Sequence, residues 1–374
     1  MPQDQQVVER KAQVSACVIA RDEELNLPGC LESALPVCEE VVVVDTGSRD
    51  ATPRIAADMG ARVLSFQWID DFSAARNFAA AQARQPFILR LDADERLVDH
   101  SLDALLTYAE NQPIAAGRAT LVNLLADGER TVETLTCLYP NTPDYRYERR
   151  IHEQLRFRGG APTVVQTRLT ILHTGYAPEV IRQRGKGERN LRLLERELSL
   201  APTDPYLHYQ LGKTRFALED YARAVHNFET ALHFLDIRRL PEAPYAPTIF
   251  VQQAYSFINL RDLPSVLRTI AAGLELFPEY TDLYFTRGVA RMQLGDETQI
   301  GAMLGDFERC LALGEADPNR YSTVAGVGSY RALHNLGAFF EALGDVENAV
   351  QYYRRAADLG FDPSIARLSA LRRA

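Results

Sequence analysis

The sequence predicts an α/β domain with a mostly parallel sheet, followed by an all-α array of helical repeats. Three observations predict it. Strand and helix patterns alternate four times before residue 95, as crossover units of a parallel sheet do. One of those strands, residues 87–91, is apolar apart from Arg90 and runs directly into Asp92, Asp94 and Glu95. From Pro205 onward a small/large spacing recurs with a repeat of about 34 residues.

The elements follow in order. Residues 14–20 (VSACVIA) form a strand pattern, and RDEELNLPGCLESALP after it has helical spacing at Leu25, Leu31 and Leu35. Residues 41–44 are a fully apolar strand ending in DTGSRD. Thr52–Pro53 reads as an N-cap with proline at the first helical position, predicting a helix over 53–59 that Gly60 ends. A strand over 61–66 and an alanine-rich helix over 73–83 lead to the strand at 87–91. Residues 117–174 are rich in β-branched and aromatic types with short turns, which predicts added strands and loops.

Parallel strands bind ligands outside their carboxyl ends. Four groups lie there: residues 21–24, 45–48, 92–95 and, further on, His173. Asp92 and Asp94 are hard oxygen ligands suited to Mg²⁺ or Mn²⁺, which bind through one or two carboxylates plus phosphate oxygens. The alternative is an acidic turn that starts a helix. Asp45 follows its strand as Asp92 follows the other, and a carboxylate there accepts hydrogen bonds from a ribose hydroxyl or base imino group. Its alternative is an Asx-turn before Gly47.

With 374 residues, 46% hydrophobic and 24% charged, the chain has room for two cores. No apolar run approaches the roughly 20 residues of a membrane span. The start, MPQDQQVVERKAQ, lacks the layout of a secretory signal and is expected to be a disordered lead-in. A net charge of −9 gives no basic field for nucleic acid. Five cysteines without a C-x-x-C pair read as buried or incidental thiols of a reducing cytoplasm.

Other motifs fail. DTGSRD is not G-x-G-x-x-G; Gly212-Lys213-Thr214 lacks the P-loop glycine, since position 207 is leucine; His152–Glu153 lacks the second histidine of H-E-x-x-H, since position 156 is arginine.

In the second half, Leu211–Gly212, Ala224, Phe228 and Ala231 fit a tetratricopeptide unit, as do Leu336–Gly337, Ala349, Tyr353 and Ala356. Ala254, Gly273 and Pro278 fit a looser copy, and Gly288, Phe307 and Cys310 another with a lengthened turn. Residues 240–247 and 316–329 read as inserts. About four such units stack into a solenoid with a concave face. It does no chemistry of its own; its roles are acceptor-protein binding or self-association into a homo-oligomer. The basic segment 182–196 predicts a helix with one leucine face and a solvated arginine face; Lys186 or Arg189 touching a diphosphate is the less favoured role.

Six blocks, CVIARDEELNL, VVVVDTGSRDAT, WIDDFSAARNFA, FILRLDADE, RIHEQL and ILHTGY, occur in this order within the first 176 residues. Together they resemble family 2 glycosyltransferases. The closest likeness is to the soluble bacterial branch in which a GT-A domain precedes tetratricopeptide repeats, a branch that includes peptide S-glycosyltransferases of bacteriocin precursors. The resemblance implies a nucleotide-sugar donor, usually a UDP-sugar, and transfer with inversion. It implies that Ala20, Arg21 and Glu23 line the nucleoside pocket, that Asp45 holds base or ribose, and that Arg76 and Asn77 reach ribose or phosphates. Asp92 and Asp94 become the metal motif, with Asp94 the direct ligand, and His173 completes the metal shell; a lone histidine at a strand end is otherwise structural. Asp22 departs from the asparagine usual in the branch, which adds negative charge near the nucleotide.

The reaction needs a leaving diphosphate whose charge is neutralised, an oxocarbenium-like centre and a base for the acceptor's proton. Glu153 is the candidate base, with His152 orienting or replacing it; alternatively Glu153 pairs with Arg149, Arg150 or Arg156 on the surface. The expected organisation is a lead-in over 1–12, a GT-A domain over 13–180, a linker helix over 181–203 and repeats over 204–374. The rivals are a repeat scaffold with a decayed transferase domain and a sugar-nucleotidyltransferase. The latter resembles enzymes with G-x-G-T-R after the first strand, where this chain has ARDEEL.

Overall fold

The computed structural model describes residues 10–98, 100–111, 113–124, 130–174, 184–236, 243–295 and 297–372. Residues 1–9 of the expected lead-in, Gly175–Tyr176 of the last block and part of the insert near 240 lie outside them. The chain divides into two compact units, Met1–Gln183 and Arg184–Ala374.

In the first unit β1 (Ala12–Ala20), β2 (Cys38–Asp45), β3 (Arg62–Ser65) and β4 (Phe87–Asp92) pair in parallel in the order β3-β2-β1-β4. Helices α1 (Leu27–Ala34), α2 (Thr52–Asp58) and α3 (Phe72–Gln82) connect them. Beyond β4 the sheet continues through β7 (Arg130–Pro140), β6 (Ala116–Leu124), β10 (Val164–His173) and the short β5 (Glu95–Leu97). The β6·β10 pair is parallel; β4·β7, β6·β7 and β5·β10 are antiparallel. The sheet is thus mostly parallel but mixed. Helix α4 (Ser101–Asn111) packs on β1 and β10, and a hairpin of β8 (Tyr145–Glu148) and β9 (Gln154–Phe157) stands apart.

Period-two alternation sorts the strands onto two buried faces. Val14, Ala16, Val18, Val43, Leu89 and Leu91 join α1 and α4 in one core, while Cys17, Val42, Val44 and Ile88 pack with Ala79 of α3 and the β8–β9 tyrosines in another. Among the four strands Arg90 falls on this second face, beneath α3. All five cysteines are buried free thiols.

Two local expectations are corrected. Leu25 is 80% exposed; Pro28 sets the first turn of α1, so Leu25 precedes the helix. Thr52 is not the cap of α2; Ala51 is, and the Thr52 hydroxyl instead bonds Asp50 and accepts from the Glu23 N–H. Helix α4 and strand β5 have no counterpart in the sequence reading.

Only Ala93 and Asp94 join β4 to β5. Three peptide units reach at most ~11 Å, whereas four strand spacings in a flat sheet amount to ~19 Å. The sheet therefore curls until β10 and β5 return to the end of β4. Pairing irregularities between Gly117 and Arg118 and between Gln166 and Thr170 supply the bends. This curl brings His173 to the acidic turn.

The second unit opens with α5 (Arg184–Leu200), which packs on α6 (Pro205–Ala217). The side chain of Lys186 lies outside the described residues, and Arg189 hydrogen-bonds Asn190. Antiparallel pairs follow: α6 with α7 (Tyr221–Phe234), α8 (Ala246–Asn259) with α9 (Leu263–Leu276), α10 (Thr281–Leu294) with α11 (Ile300–Leu313), and α12 (Tyr330–Ala342) with α13 (Val346–Asp358). Helix α14 (Asp362–Leu371) closes the array. A Cβ on Gly212, Gly288 or Gly337 would meet the ring of Phe228, Phe307 or Tyr353 at 2.4, 2.9 or 2.8 Å. Glycine there lets the two helices of a pair approach. In the second pair Ala254 and Ile270, both fully buried, stand in the same places. Aspartates cap α7, α9 and α13. No helix of the described residues is long and apolar enough to cross a membrane.

Candidate active site

Register fixes where the sequence's candidate residues stand. Ala20 lies opposite Asp45, and Ile19 opposite Asp92, so three strands end at one level. The loop after β1 is laced to the loop after β2. Asp22 N–H donates to Ser48 Oγ (3.0 Å), Arg49 N–H to Asp22 Oδ1 (2.7 Å), Glu23 N–H to Thr52 Oγ1 (2.8 Å), and Glu24 N–H to Asp50 Oδ2 (3.1 Å). Asp22 adopts φ +55°, a left-handed conformation that Asp and Asn tolerate. Its carboxylate therefore serves the loop, a task an asparagine oxygen also performs. Arg21 is exposed beside Asp22. Ala20 C=O accepts from the Thr46 N–H and hydroxyl. Asp45 makes the Asx-turn: its oxygens accept from Gly47 N–H (3.2 Å) and Ser48 N–H (3.1 Å). Four lone-pair positions on a carboxylate leave room for a further donor.

The centre of the site is a chain of alternating charges. Arg76, on α3, is 6% exposed. Its Nε donates to Glu153 Oε1 and its Nη2 to Asp92 Oδ1 at 2.6 Å. The second Asp92 oxygen accepts from Arg90 Nη2, whose Nη1 reaches buried Glu95 at 3.0 Å. Asp92 N–H also donates to Glu95 at 2.9 Å. Alternation along β4 puts Arg90 and Asp92 on the face that α3 covers, and helical geometry drops Arg76 onto them. Burial alone disfavours every charge here. Burial opposes Asp92 ionisation, but Arg76 and Arg90 hold its carboxyl far below the ordinary range. Burial pushes Glu95 up, with Arg90 opposing. Both arginines are held more firmly charged than usual, against burial, by their carboxylate neighbours.

Glu153 thus sits beside Arg76 and pairs with it, a buried partner that the surface alternative (Arg149, Arg150 or Arg156) did not include. His152 precedes it at φ +51°. Asn77 is placed differently from the expectation that it reaches the donor: its amide donates to Tyr147 C=O and accepts from Tyr147 N–H, both at 2.8 Å, pinning β8 to α3.

Asp94 stands in the turn between β4 and β5, with its C=O accepting from Thr174 N–H. Its Oδ2 lies 3.3 Å from His173 Nε2, because His173 pairs with Glu95 in register. Burial disfavours the His173 charge, yet the bond and charge of Asp94, with Glu95 and Asp92 behind, raise its pKa. His173 Nδ1 faces Asn123 Oδ1 at 2.8 Å. Among the described residues no three His, Cys, Asp or Glu side chains converge on one point. Asp94 and His173 form a pair, while Asp92 is turned to its two arginines. That departs from the three-ligand set expected of Asp92, Asp94 and His173, and the reason is electrostatic: two guanidinium groups already neutralise Asp92.

Sequence reasoning missed the roles of Arg90 and Asn123. A charged residue inside an apolar strand requires a buried partner, so Arg90 was findable. Nothing local to residues 116–133 marks Asn123.

The curled, mostly parallel sheet with an acidic strand end is an α/β domain, and the comparisons with known proteins give its class. Residues 15–171 match the family model described as glycosyl transferase family 2, and residues 332–366 match a tetratricopeptide repeat. The first unit is therefore a family 2 glycosyltransferase domain of GT-A type, and the second a tetratricopeptide-type solenoid. A TPR repeat-containing protein of Synechococcus elongatus is 41% identical over 214 residues, 54% of this chain and 52% of that protein. The lipopolysaccharide core biosynthesis glycosyltransferase LpsC of Rhizobium meliloti is 38% identical over 101 residues, 26% of this chain and 36% of that one. The SPbeta prophage-derived glycosyltransferase SunS of Bacillus subtilis is 23% identical over 274 residues, 68% and 63% respectively. The chain thus spans about half the length of the first of these relatives.

Proposed function

We propose that this chain is an inverting glycosyltransferase that moves a sugar from a UDP-sugar to a peptide or protein acceptor held by the repeat unit, in the cytoplasm. One observation carries the reading. His173 Nε2 and Asp94 Oδ2 pair at 3.3 Å at the end of the sheet, an imidazole and a carboxylate side by side where the acidic turn meets β10. A divalent cation bound there would take the place of the proton that the imidazole and the carboxylate share. Mg²⁺ and Mn²⁺ fit, since they take few protein ligands and keep water and phosphate oxygens. Asp94 and His173 would hold the ion, which neutralises charge on a departing diphosphate.

The remaining roles belong to the chain's own residues. Arg21, Glu23, Asp45 and the Ala20 main chain border the crevice for the nucleoside. Glu153 takes the proton from the acceptor nucleophile as that atom bonds to the anomeric carbon on the face opposite the leaving UDP. The bond from the anomeric carbon to the phosphate oxygen breaks, and configuration inverts. Arg76 bonds both Glu153 and Asp92 and so fixes the distance between them.

Titration calorimetry with UDP, with and without Mn²⁺, tests the reading. Metal-dependent UDP binding is expected in the native chain and lost in Asp94→Ala, whose melting temperature stays nearly unchanged. Equal UDP binding with and without metal, or an Asp94→Ala variant with full turnover, removes the proposed site. Screening nucleotide sugars for slow donor hydrolysis then identifies the sugar without knowledge of the acceptor.

A further inference from the structure

We propose that Asn77 is a positioning residue for the acceptor side of the reaction: its side chain holds the loop that carries Glu153 in a backbone shape the loop would not keep by itself. The inference rests on reading Glu153 as the base, and it names what sets that carboxylate in place.

Five residues, 149–153, join β8 to β9, and Glu153 is the last of them. Two of the five, Arg149 at φ +79° and His152 at φ +51°, lie in the left-handed region, which is uncommon for residues other than glycine. Such strain persists only where the surroundings over-determine it. Here the surroundings are α3. Asn77 Nδ2 donates to Tyr147 C=O and Asn77 Oδ1 accepts from Tyr147 N–H, each at 2.8 Å. One amide thus serves the main chain of β8 as a neighbouring strand would. Phe72 opens α3, where a helical N–H has no carbonyl of its own helix to meet, and this N–H donates to Arg150 C=O at 2.8 Å. Ile151, 3% exposed, anchors the middle of the loop. Arg76, between the other two in the helix, donates to Glu153 itself. Tyr147, Arg150 and Glu153 are therefore each tied to α3, before, within and at the end of the loop. The Arg76 bond holds the carboxylate only where the loop delivers it, since a long guanidinium side chain can follow a displaced partner. The two main-chain attachments set where that is. Asn77 stands next to Arg76 in sequence, yet both ends of its amide are taken up by Tyr147, so it acts through the backbone.

Hydrogen exchange on the full-length protein reads the loop without any substrate. Asn77→Ala is expected to speed exchange of the amides of residues 147–153 by about tenfold or more, while peptides of β1 and α4 keep native protection. Should Asn77→Ala fail to fold, Phe72→Pro serves instead: proline is accepted at the first helical position and removes the N–H that Arg150 accepts from. Phe72→Ala keeps that N–H, controls for the lost ring, and is expected to exchange like the native chain over 149–153. Native exchange in both Asn77→Ala and Phe72→Pro overturns the proposal. A double-variant cycle separates positioning from general support of the fold. In hydrolysis of the UDP-sugar that the screen selects, with Mn²⁺ present, water stands in for the acceptor and Glu153 takes its proton. Asn77→Ala is expected to lower kcat by ~10–100-fold with KM for the UDP-sugar unchanged, and to lower it no further in the Glu153→Gln background. Equal losses in both backgrounds, or a weakened UDP affinity in place of a lower kcat, overturn the positioning role and leave Glu153 as the base. Unaltered hydrolysis in Glu153→Gln overturns the base reading and with it the catalytic part of the inference; the exchange result still decides whether Asn77 holds the loop.

Discussion

Arg76 occupies the position on which the site's electrostatics turn. One guanidinium serves a carboxylate on each side, Glu153 through Nε and Asp92 through Nη2, while Arg90 repeats the pattern between Asp92 and Glu95. Removing a partner from such a buried chain leaves a charge uncompensated, at a cost of about 3–5 kcal/mol. That is why the candidate base and the first acidic residue keep fixed positions relative to each other. The base assignment has a direct test. Glu153→Gln keeps the shape and the hydrogen bond from Arg76 but cannot take a proton. Turnover should fall by about 10²–10⁴-fold while UDP affinity, measured by calorimetry, changes little. Unaltered turnover would hand the role to another group. At this scale the sequence was partly readable. The acidic pair, Arg76, Glu153 and His173 were visible as residues; their partners were not, because an ion pair between positions 76 and 153 has no local signature.

The repeat helices show how a sequence spacing becomes packing. Gly212 sits sixteen positions before Phe228, as Gly337 does before Tyr353 and Ala254 before Ile270, whereas Gly288 and Phe307 are separated by three more. The longer spacing matches the extra 3₁₀ turn, Glu297–Gln299, between α10 and α11. A Cβ at Gly212 meets Phe228 ring atoms at 2.4 Å. Gly212→Ala gains roughly 1 kcal/mol of helix propensity but overpacks the contact at a cost of about 1–3 kcal/mol. Net destabilisation is expected by chemical denaturation, with recovery in the Gly212→Ala/Phe228→Leu double variant; two additive losses would refute the contact as the cause.

A second element-scale device is Asp282, buried at the start of α10. It accepts from Thr323 Oγ1 (2.6 Å) and Val324 N–H (2.9 Å). Burial pushes its pKa up to about 7, against the pull of those two donors. A raised folded-state value means the folded chain holds the extra proton longer than the unfolded chain. Stability from Asp282 is therefore full at acidic pH and declines as pH rises from the ordinary carboxylate range to about 7. Asp282→Asn should flatten this part of the melting-temperature profile. A slope of equal size in the variant would assign it to other groups.

For the whole molecule, each unit has cores of its own, β1, β2, β4, α1 and α4 in the first and the helix pairs in the second. Separate cores predict separable unfolding. UDP with Mn²⁺ should raise one calorimetric transition by mass action, and Asp282→Asn should move the other; both acting on a single transition would show that the units melt together. Sequence alone determined the order of the units, the crossover strands β1 to β4 and the helical repeats. Each of those is written in a local period, two for strands, 3.6 for helices and about 34 for the repeat. Tertiary structure alone decided that β5 folds back beside β10, that the sheet curls so that His173 meets Asp94, that Asn77 holds main chain rather than substrate, and that Asn123 stands behind His173. These depend on strand order and register among residues far apart in the chain, and side chains that meet through pairing leave no periodic trace in the residues between them.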